Sequence, residues 1–273
     1  MTSLEPILAH VPAFLVVLAR FTGLFIFSPV LASAMIPRRV KIILTLSLAF
    51  CVYPTIDHAA FGPIPLSITA LGPIMAMELA LGAAMGIMML TPLWAVQLAG
   101  TLMGQQMGLA LAPLYNPATD IDSDSVGQLL FILALAIFIV LGGIEALFAG
   151  LAGSFMLLGP GQLRVDDTLV TTLAGLVGSA FHLAMRVSMP VLAIVLVETV
   201  AVGFITKTIP ALNFMSVGFP LRMMLGILIM AASMAGIHAA IHADTRATID
   251  LVQDWVQSLG PASAAKPEGA SGG

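Results

Sequence analysis

The sequence predicts an all-α membrane protein with about six long apolar helices, several of them kinked or folded back into hairpins. Of its 273 residues, 59% are hydrophobic and only 9% are charged, and the mean hydropathy is +1.07. A soluble domain carries about a quarter charged residues, so this chain cannot cover a water-exposed surface. Long apolar runs recur along the chain, and proline or glycine interrupts the longest of them.

Six apolar runs define the predicted helices, at residues 11–35, 40–56, 66–112, 126–158, 169–206 and 214–240. One membrane crossing needs about 20 residues, so the first, second and sixth runs fit one crossing each and the other three are too long. Each long run contains a helix-disrupting step, namely Thr91-Pro92, Gly142-Gly143 or Pro190. We therefore expect kinked or folded-back helices there, and six or seven passes in total.

Basic residues indicate the orientation in the membrane. Arg38, Arg39 and Lys41 follow the first run, and Lys207 and Arg222 flank the connection between the fifth and sixth. The positive-inside rule then places both connections in the cytoplasm and, for six passes, both termini outside. The formal net charge of −4 and the scattering of the other basic residues argue against nucleic-acid binding.

The apolar character changes after residue 240. A stripe of mostly apolar residues recurs there near helical spacing, at Ile241, Thr245, Ile249, Val252 and Val256. It predicts an amphipathic helix over 241–259 that lies at the membrane surface or against a partner. Residues 260–273 consist mainly of Ala, Gly, Ser and Pro and are predicted to be disordered.

The connection between the third and fourth runs, residues 109–125, is the most informative segment. It begins apolar, is stiffened by Pro113 and Pro117, and ends in the acidic sequence DIDSD. Such a loop can close a channel, cap a partner or line a substrate path, although a plain interhelical turn is the simpler interpretation. The candidate closing residues are Met103, Met107, Leu109, Leu111, Leu114, Tyr115, Asn116 and Pro117.

Six ionisable residues lie inside apolar runs: Arg20, Glu78, Glu145, Arg186, Glu198 and Arg222. An unpaired charge at the bilayer centre costs roughly 3 kcal/mol, so each must face a partner, water or a helix end. We favour contacts between helices over a proton or substrate relay. Glu198 in particular is expected to pair with a different helix or subunit, through Lys207 or Arg222 for instance.

Glycines recur at spacings that permit close helix packing. The sets are Gly82 with Gly86, Gly100 with Gly104 and Gly108, and Gly150 with Gly153. Without a Cβ atom, such positions allow two helix backbones to approach each other, within this chain or against another subunit.

No catalytic group, metal site or cofactor is predicted. His238 and His242 have the i, i+4 spacing of two metal ligands, but only Asp244 lies near enough to add a third, so we interpret them as a helix end. An intramembrane hydrolase would need a nucleophile motif that the residues around Ser154 lack. Cys51 lies in an apolar run without a second cysteine, which predicts a packed thiol.

Three segments together resemble one protein family. They are ARFTGLFIFSPVLASAMIPRRVKIILTLSLAF at 19–50, GQQMGLALAPLYNPA at 104–118, and residues 189–230, which include Pro210, Asn213 and the Gly218-Phe219-Pro220 step. This set resembles the FliR family of flagellar export-gate proteins and their type III secretion counterparts. The resemblance covers roughly residues 11–240.

The resemblance implies a non-enzymatic core subunit of the flagellar type III export gate, in the bacterial inner membrane at the flagellar basal body. Such a subunit forms, with FliP and FliQ homologues, the channel for unfolded flagellar export substrates, and it contacts an FlhB homologue. Residues 1–168 would be a FliP-like helical part with 109–125 as plug loop, and 169–240 a FliQ-like hairpin. Other subunits and membrane lipids would cover its apolar faces, and no nucleic acid is implied.

A proton-coupled multi-pass transporter of small solutes is the alternative. It would use Glu78, Arg186 and Glu198 near the bilayer midplane. Transporters of this type contain two matching halves, and no convincing repeat relates residues 11–112 to 126–240.

Overall fold

A computed structural model describes residues 5–29, 36–56, 67–109, 124–161, 167–208 and 214–260. These residues form seven α-helices: α1 Glu5–Phe27, α2 Arg38–Val52, α3 Ile68–Gln106, α4 Ser125–Val140, α5 Gly143–Leu157, α6 Asp167–Thr208 and α7 Phe214–Ser258. A short 3-10 turn, Tyr53–Thr55, follows α2. Since the described residues contain no strand, the predicted all-α class with about six long apolar helices is confirmed.

Four of the described helices are long and apolar enough to cross a membrane, namely α1, α3, α6 and α7. The bent pair α4–α5 is a possible fifth span. The second run was expected to cross once, but α2 has 15 residues and is therefore about 22 Å long, short of the roughly 30 Å hydrocarbon core. Length and composition thus support four or five spans in the described chain, where the hydropathy pattern predicted six or seven.

Only one of the three predicted interruptions breaks a helix. At Gly142 the backbone adopts φ +75°, a conformation that glycine tolerates because it lacks a Cβ atom, and α4 and α5 meet there at 60°. In contrast, α3 continues through Pro92 and α6 through Pro190. Each proline removes one backbone donor, and the helical turns on both sides persist. Of the two expected outcomes, kinked or folded-back helices, the third and fifth runs therefore do not show the folded-back one.

The chain divides into two compact units, and α3, α6 and α7 each contribute to both. The first unit comprises Met1–Leu90, Gly142–Leu173 and Ala247–Gly273, and the second comprises Thr91–Leu141 and Ala174–Arg246. The division inside α3 falls beside Pro92, where a break was expected. This partition differs from the predicted division into a FliP-like part, residues 1–168, and a FliQ-like hairpin, residues 169–240. The predicted division remains a prediction.

In the first unit α1 packs against the beginning of α3 through glycine. A Cβ atom on Gly23 would collide with the Leu79 carbonyl oxygen, and one on Gly82 with the Arg20 carbonyl oxygen. The two backbones are therefore in direct contact, as the glycine spacing predicted. Gly153 has no such role in the described part of the chain, where no atom lies within 4 Å of the place its Cβ would occupy.

The predicted amphipathic segment is the C-terminal part of α7, which continues across residue 240 without a break. Every member of its stripe is at most 5% exposed: Ile241, Thr245, Ile249, Val252 and Val256. We expected a partner or the membrane surface to cover this stripe. It is instead buried within the chain itself.

Helix α2 is the least buried of the helices. Only Thr45 and Ala49 are buried along its length. Cys51, expected to be a packed thiol, is exposed, because no described part of the chain covers the outer face of α2. The Tyr53 hydroxyl lies 2.9 Å from His10 Nδ1, so the end of α2 meets the beginning of α1 and the two helices run antiparallel.

Candidate functional site

The buried charges of the first unit form one network centred on Arg20 of α1. Arg20 is 1% exposed, and its Nε donates to Glu78 Oε2 of α3 at 2.5 Å. Its Nη1 donates to Ser154 Oγ of α5 at 2.9 Å. The guanidinium carbon also lies 4.0 Å from the ring centroid of Phe155, a cation–π geometry. One arginine therefore joins three helices of this unit.

The Glu78 carboxylate uses both of its oxygens. Besides the bond from Arg20, Oε1 accepts a hydrogen bond from the Gly161 backbone N–H at 2.9 Å. Gly161 adopts φ +70° in the turn after α5. The ion pair therefore also holds this turn. Both charges are neutralised by fixed partners, which suits a structural contact better than a proton relay.

Ser154 has no free proton for nucleophilic chemistry. Its Oγ accepts from Arg20 and donates to the Leu151 carbonyl oxygen at 2.6 Å. A serine nucleophile instead requires a neighbouring base that accepts its proton. The hydroxyl thus binds Arg20 and links it to the backbone of α5. The residues around Ser154 in the sequence did not indicate this role.

The second unit contains a separate ion pair between α6 and α7. Arg222 Nε donates to Glu198 Oε2 at 3.0 Å, and Arg222 Nη2 donates to Thr199 Oγ1 at 2.8 Å. The Glu198 side chain is 2% exposed and that of Arg222 is 19% exposed. The expected partner from another helix is thus Arg222, while Lys207 is exposed in the last turn of α6.

The other two intramembrane charges lie at exposed positions. Glu145 occupies the first turn of α5, where the positive end of the helix dipole favours a carboxylate. Arg186 is exposed on α6 and interacts electrostatically with Asp244 of α7, which also accepts a hydrogen bond from Ser179 Oγ at 3.3 Å. The six charges therefore divide into two ion pairs, Arg20–Glu78 and Arg222–Glu198, and two exposed residues, Glu145 and Arg186.

The end of α3 packs tightly against α7 in the second unit. Met103 and Met107 are both 0% exposed. A Cβ atom on Gly226 would lie 2.5 Å from Met107 Sδ, so the thioether rests on the α7 backbone. Gly108 ends the helix at φ +84°, and its missing Cβ would lie 2.5 Å from Phe219 Cε2. The chain therefore leaves α3 from a fixed position, beside the half-buried Leu109.

The beginning of α4 is held in the same unit. The Cβ position of Gly100 on α3 lies 2.5 Å from Gly127 Cα, so these helices touch at their backbones. Asp124 precedes α4, and its buried Oδ1 has no hydrogen-bond partner among the described residues. The described residues that flank positions 110–123 are thus both packed in this unit. The remaining candidate closing residues, Leu111, Leu114, Tyr115, Asn116 and Pro117, lie outside the described residues.

Sequence reasoning missed the residues that complete these contacts, because their types are common in apolar helices. They are Ser154, Phe155, Gly161, Thr199 and the Gly226 backbone. Thr199 and Gly226, like Phe219 beside Gly108, lie within residues 189–230, one of the segments that carry the family resemblance. As for metals, His238 and His242 are exposed with ring centroids 6.2 Å apart, and the described ranges hold no group of three metal-ligating side chains.

The long apolar helices, the paired charges within them and the anchored connection define a multi-pass helical membrane protein stabilised by ion pairs between its helices. Residues 11–247 match the sequence model of a family described as bacterial export proteins, family 1. Because this match covers most of the chain, the protein belongs to that family.

Individual relatives agree with this membership. The chain is 26% identical to the flagellar biosynthetic protein FliR of Bacillus subtilis, over 91% of this chain and 96% of the relative. It is 29% identical to FliR of Escherichia coli, over 80% and 82%. The surface presentation of antigens protein SpaR of Salmonella typhimurium is 25% identical, over 78% and 79%. The resemblance to the FliR family of type III export is confirmed, and so is a multi-pass inner-membrane location in the export apparatus.

Proposed function

We propose that this chain is a core subunit of the flagellar protein export gate, where it forms, with FliP- and FliQ-type subunits, the channel for unfolded flagellar subunits. An FlhB-type protein is the further proposed contact. The role is mechanical and not enzymatic. Membership of the export family, together with the anchored connection after α3, is the observation that carries this proposal.

The connection between α3 and α4 supports a closing role because close packing at glycines fixes the chain on both sides of it. Gly108 rests on Phe219, and Gly100 rests on Gly127. The described residues on both sides of the connection are therefore fixed within their unit, and a plug loop needs such fixed attachment points. The apolar, proline-containing sequence of this segment suits a seal that excludes water and ions.

Exposed apolar side chains support a multisubunit assembly. Only 22% of the apolar stretch of α6 that could cross a membrane is buried, compared with 61% of the corresponding stretch of α3. Large side chains project from much of α6, including those of Val177, Phe181, Leu196, Val197, Val200 and Phe204. Lipid covers such surfaces in isolated helices, and helices of other subunits cover them in a complex.

A proton-coupled transporter is less well supported. Transport by a relay requires acidic groups that load and release protons in a cavity. Glu78 is held by Arg20 and Gly161, and Glu198 by Arg222. These contacts stabilise fixed charges and so favour helix–helix adhesion.

Co-expression tests the proposed function. The affinity-tagged chain is purified with and without FliP- and FliQ-type proteins of the same organism, and native mass spectrometry measures the composition. We expect a complex of defined stoichiometry that contains all three. Asparagine at Leu196 and Phe204 should reduce its yield, whereas the exposed-charge variant Arg39→Gln should not. Recovery of a homo-oligomer alone, with solute uptake in vesicles, would instead support the transporter.

A further inference from the structure

One face of α3 is polar, although the helix is long and apolar enough to cross a membrane. Gln97, Thr101 and Gln105 lie four residues apart, so they form one stripe along the helix surface, here called the polar stripe. Gln105 is exposed, and Gln97 and Thr101 are half-buried. The polar stripe ends one residue before the end of α3, next to the connection that leads to α4.

The opposite face of α3 makes the apolar contacts of this helix within its unit. Leu93, Val96 and Met103 are each 0% exposed. The inner face of α3 is therefore apolar and the outer face carries the polar groups. An outer face in contact with lipid has the reverse arrangement, because a carboxamide in hydrocarbon lacks hydrogen-bond partners.

Helix α6 shows the arrangement expected for an outer face that lipid or an apolar helix covers. Over residues 196–204 its exposed large side chains are apolar, namely Leu196, Val197, Val200 and Phe204. The Thr199 hydroxyl in this stretch donates to the Val195 carbonyl oxygen at 2.7 Å. Both stretches lie in the second unit. The same unit thus presents an apolar outer face on α6 and a polar one on α3, which indicates different surroundings for the two helices.

The polar stripe is chemically similar to a peptide backbone. Each glutamine carboxamide carries N–H donors and a carbonyl acceptor, as peptide groups do. Residues 79–119 contain no charged side chain, so this part of the chain does not select the charge of a ligand. Gln97 and Gln105 are about 12 Å apart along the helix, which corresponds to roughly three to four residues of an extended polypeptide.

Apolar side chains lie beside the polar stripe on the same face. Trp94 is 52% exposed and Leu98 is 39% exposed. An unfolded polypeptide presents both a polar main chain and apolar side chains, and this mixed face can contact both. An apolar helix or a lipid chain would leave the carboxamides without hydrogen-bond partners.

We propose that the polar stripe lines a water-filled path through the export gate and binds the main chain of the unfolded polypeptide in transit. This inference rests on the proposed function, since an export channel brings an unfolded chain to this face. Gln97 and Gln105 exchange hydrogen bonds with successive peptide groups, and Trp94 and Leu98 contact apolar side chains. Because each bond is replaced by an equivalent one at the next peptide group, the chain can slide regardless of its sequence.

Cysteine labelling tests the polar stripe in membranes that contain the chain assembled with FliP- and FliQ-type subunits. Exposed Cys51 is first replaced by serine, so that each variant has a single cysteine. Gln97→Cys, Thr101→Cys and Gln105→Cys test the stripe, and Leu196→Cys and Phe204→Cys on α6 are the controls. N-ethylmaleimide is added with and without a stalled cargo, a filament subunit fused at its C terminus to a domain that does not unfold.

We expect the stripe cysteines to react roughly tenfold faster than the controls or more, because the thiolate is the reactive form and an apolar surrounding suppresses it. Stalled cargo should slow labelling of the stripe and leave the controls unchanged. Export rate is the second measurement. Gln105→Leu should slow export about two- to tenfold, the usual effect of one lost hydrogen bond, whereas Gln106→Leu, at an exposed position outside the stripe, should not.

The outcomes separate this inference from the proposed function. Slow labelling of the stripe in an assembled complex that exports cargo would overturn the inference, assign this face to lipid or to another subunit, and leave the proposed function intact. Fast labelling that cargo does not slow would overturn the contact with cargo. Failure to recover any complex would contradict the proposed function itself, and this inference with it.

Discussion

Arg20 and Glu78 form an ion pair between α1 and α3 at a point where the two backbones also touch. Nε of Arg20 lies 2.5 Å from Glu78 Oε2, and the place for a Cβ on Gly82 is occupied by the carbonyl oxygen of Arg20 itself. The glycine allows the backbones to approach, and the pair is placed beside that contact. Close packing and charge pairing therefore depend on each other here.

Breaking this pair from one side should be strongly destabilising. We expect Arg20→Leu to cost about 3–5 kcal/mol of unfolding free energy, because Glu78 would remain charged and buried. The double variant with leucine at both positions should recover part of this loss. Thermal melting in detergent and purified yield measure the effect, with Arg39→Gln as an exposed control. Equal stability of Arg20→Leu and wild type would contradict the buried network.

The pair in the second unit should tolerate substitution better. Arg222 is 19% exposed, and it keeps its bond to Thr199 when Glu198 is replaced. We therefore expect Glu198→Ala to cost about 1–3 kcal/mol, the usual range for a lost hydrogen bond to a charged group. The same melting assay, with motility halos for function, should rank this variant between Arg39→Gln and Arg20→Leu. If Glu198→Ala lost more unfolding free energy than Arg20→Leu, water would have no access to Arg222 in the assembled protein.

Two glycine-to-alanine variants in helices separate close packing from helix propensity. Alanine improves intrinsic helix stability by about 1 kcal/mol at either position. At Gly82 the new methyl group meets the Arg20 carbonyl oxygen, so we expect a net loss of about 1–3 kcal/mol or more. At Gly153 the methyl meets nothing within 4 Å, and we expect no loss or a small gain. Equal melting temperatures would argue against backbone contact at Gly82.

Deletion of residues 110–120 should leave the protein assembled but leaky. The anchors at Gly108 and Gly127 lie outside the deleted segment, so the helices can keep their contacts while the apolar seal is lost. Ion flux and small-molecule uptake are measured in cells that carry the deletion, with truncation after Leu259 as an assembled control. An intact permeability barrier in a correctly assembled complex would exclude the plug.

Two C-terminal truncations should differ sharply. Ending the chain after Ala240 removes the buried stripe that includes Ile241 and Val252, both 0% exposed. Each fully buried side chain of this kind contributes about 1.5–3 kcal/mol, so folding itself should fail. Ending it after Leu259 removes only Gly260 and the Ala/Gly-rich tail and should preserve motility. Comparable yields of the two proteins would show that the stripe is not needed for folding.

The sequence by itself determined the class of protein and the positions that require partners. Mean hydropathy predicted apolar helices, and the cost of an unpaired charge in hydrocarbon predicted that Glu198 needs an opposite charge. Local backbone chemistry predicted the break at Gly142, since two successive glycines weaken a helix regardless of what surrounds them. These features depend on composition and on residues that are adjacent in the chain, and both can be read directly from the sequence.

Only the tertiary structure decided which groups meet. Arg20 and Glu78 are 58 positions apart, and Arg20 and Ser154 are 134 apart, so no local spacing relates them. Pro92 and Pro190 lie within continuous helices because one missing backbone donor does not outweigh the intact turns around it. The apolar stripe on α7 was recognisable from its helical spacing, but the spacing indicates only that this face of the helix is buried against something. The contacts of the folded chain determine what covers it.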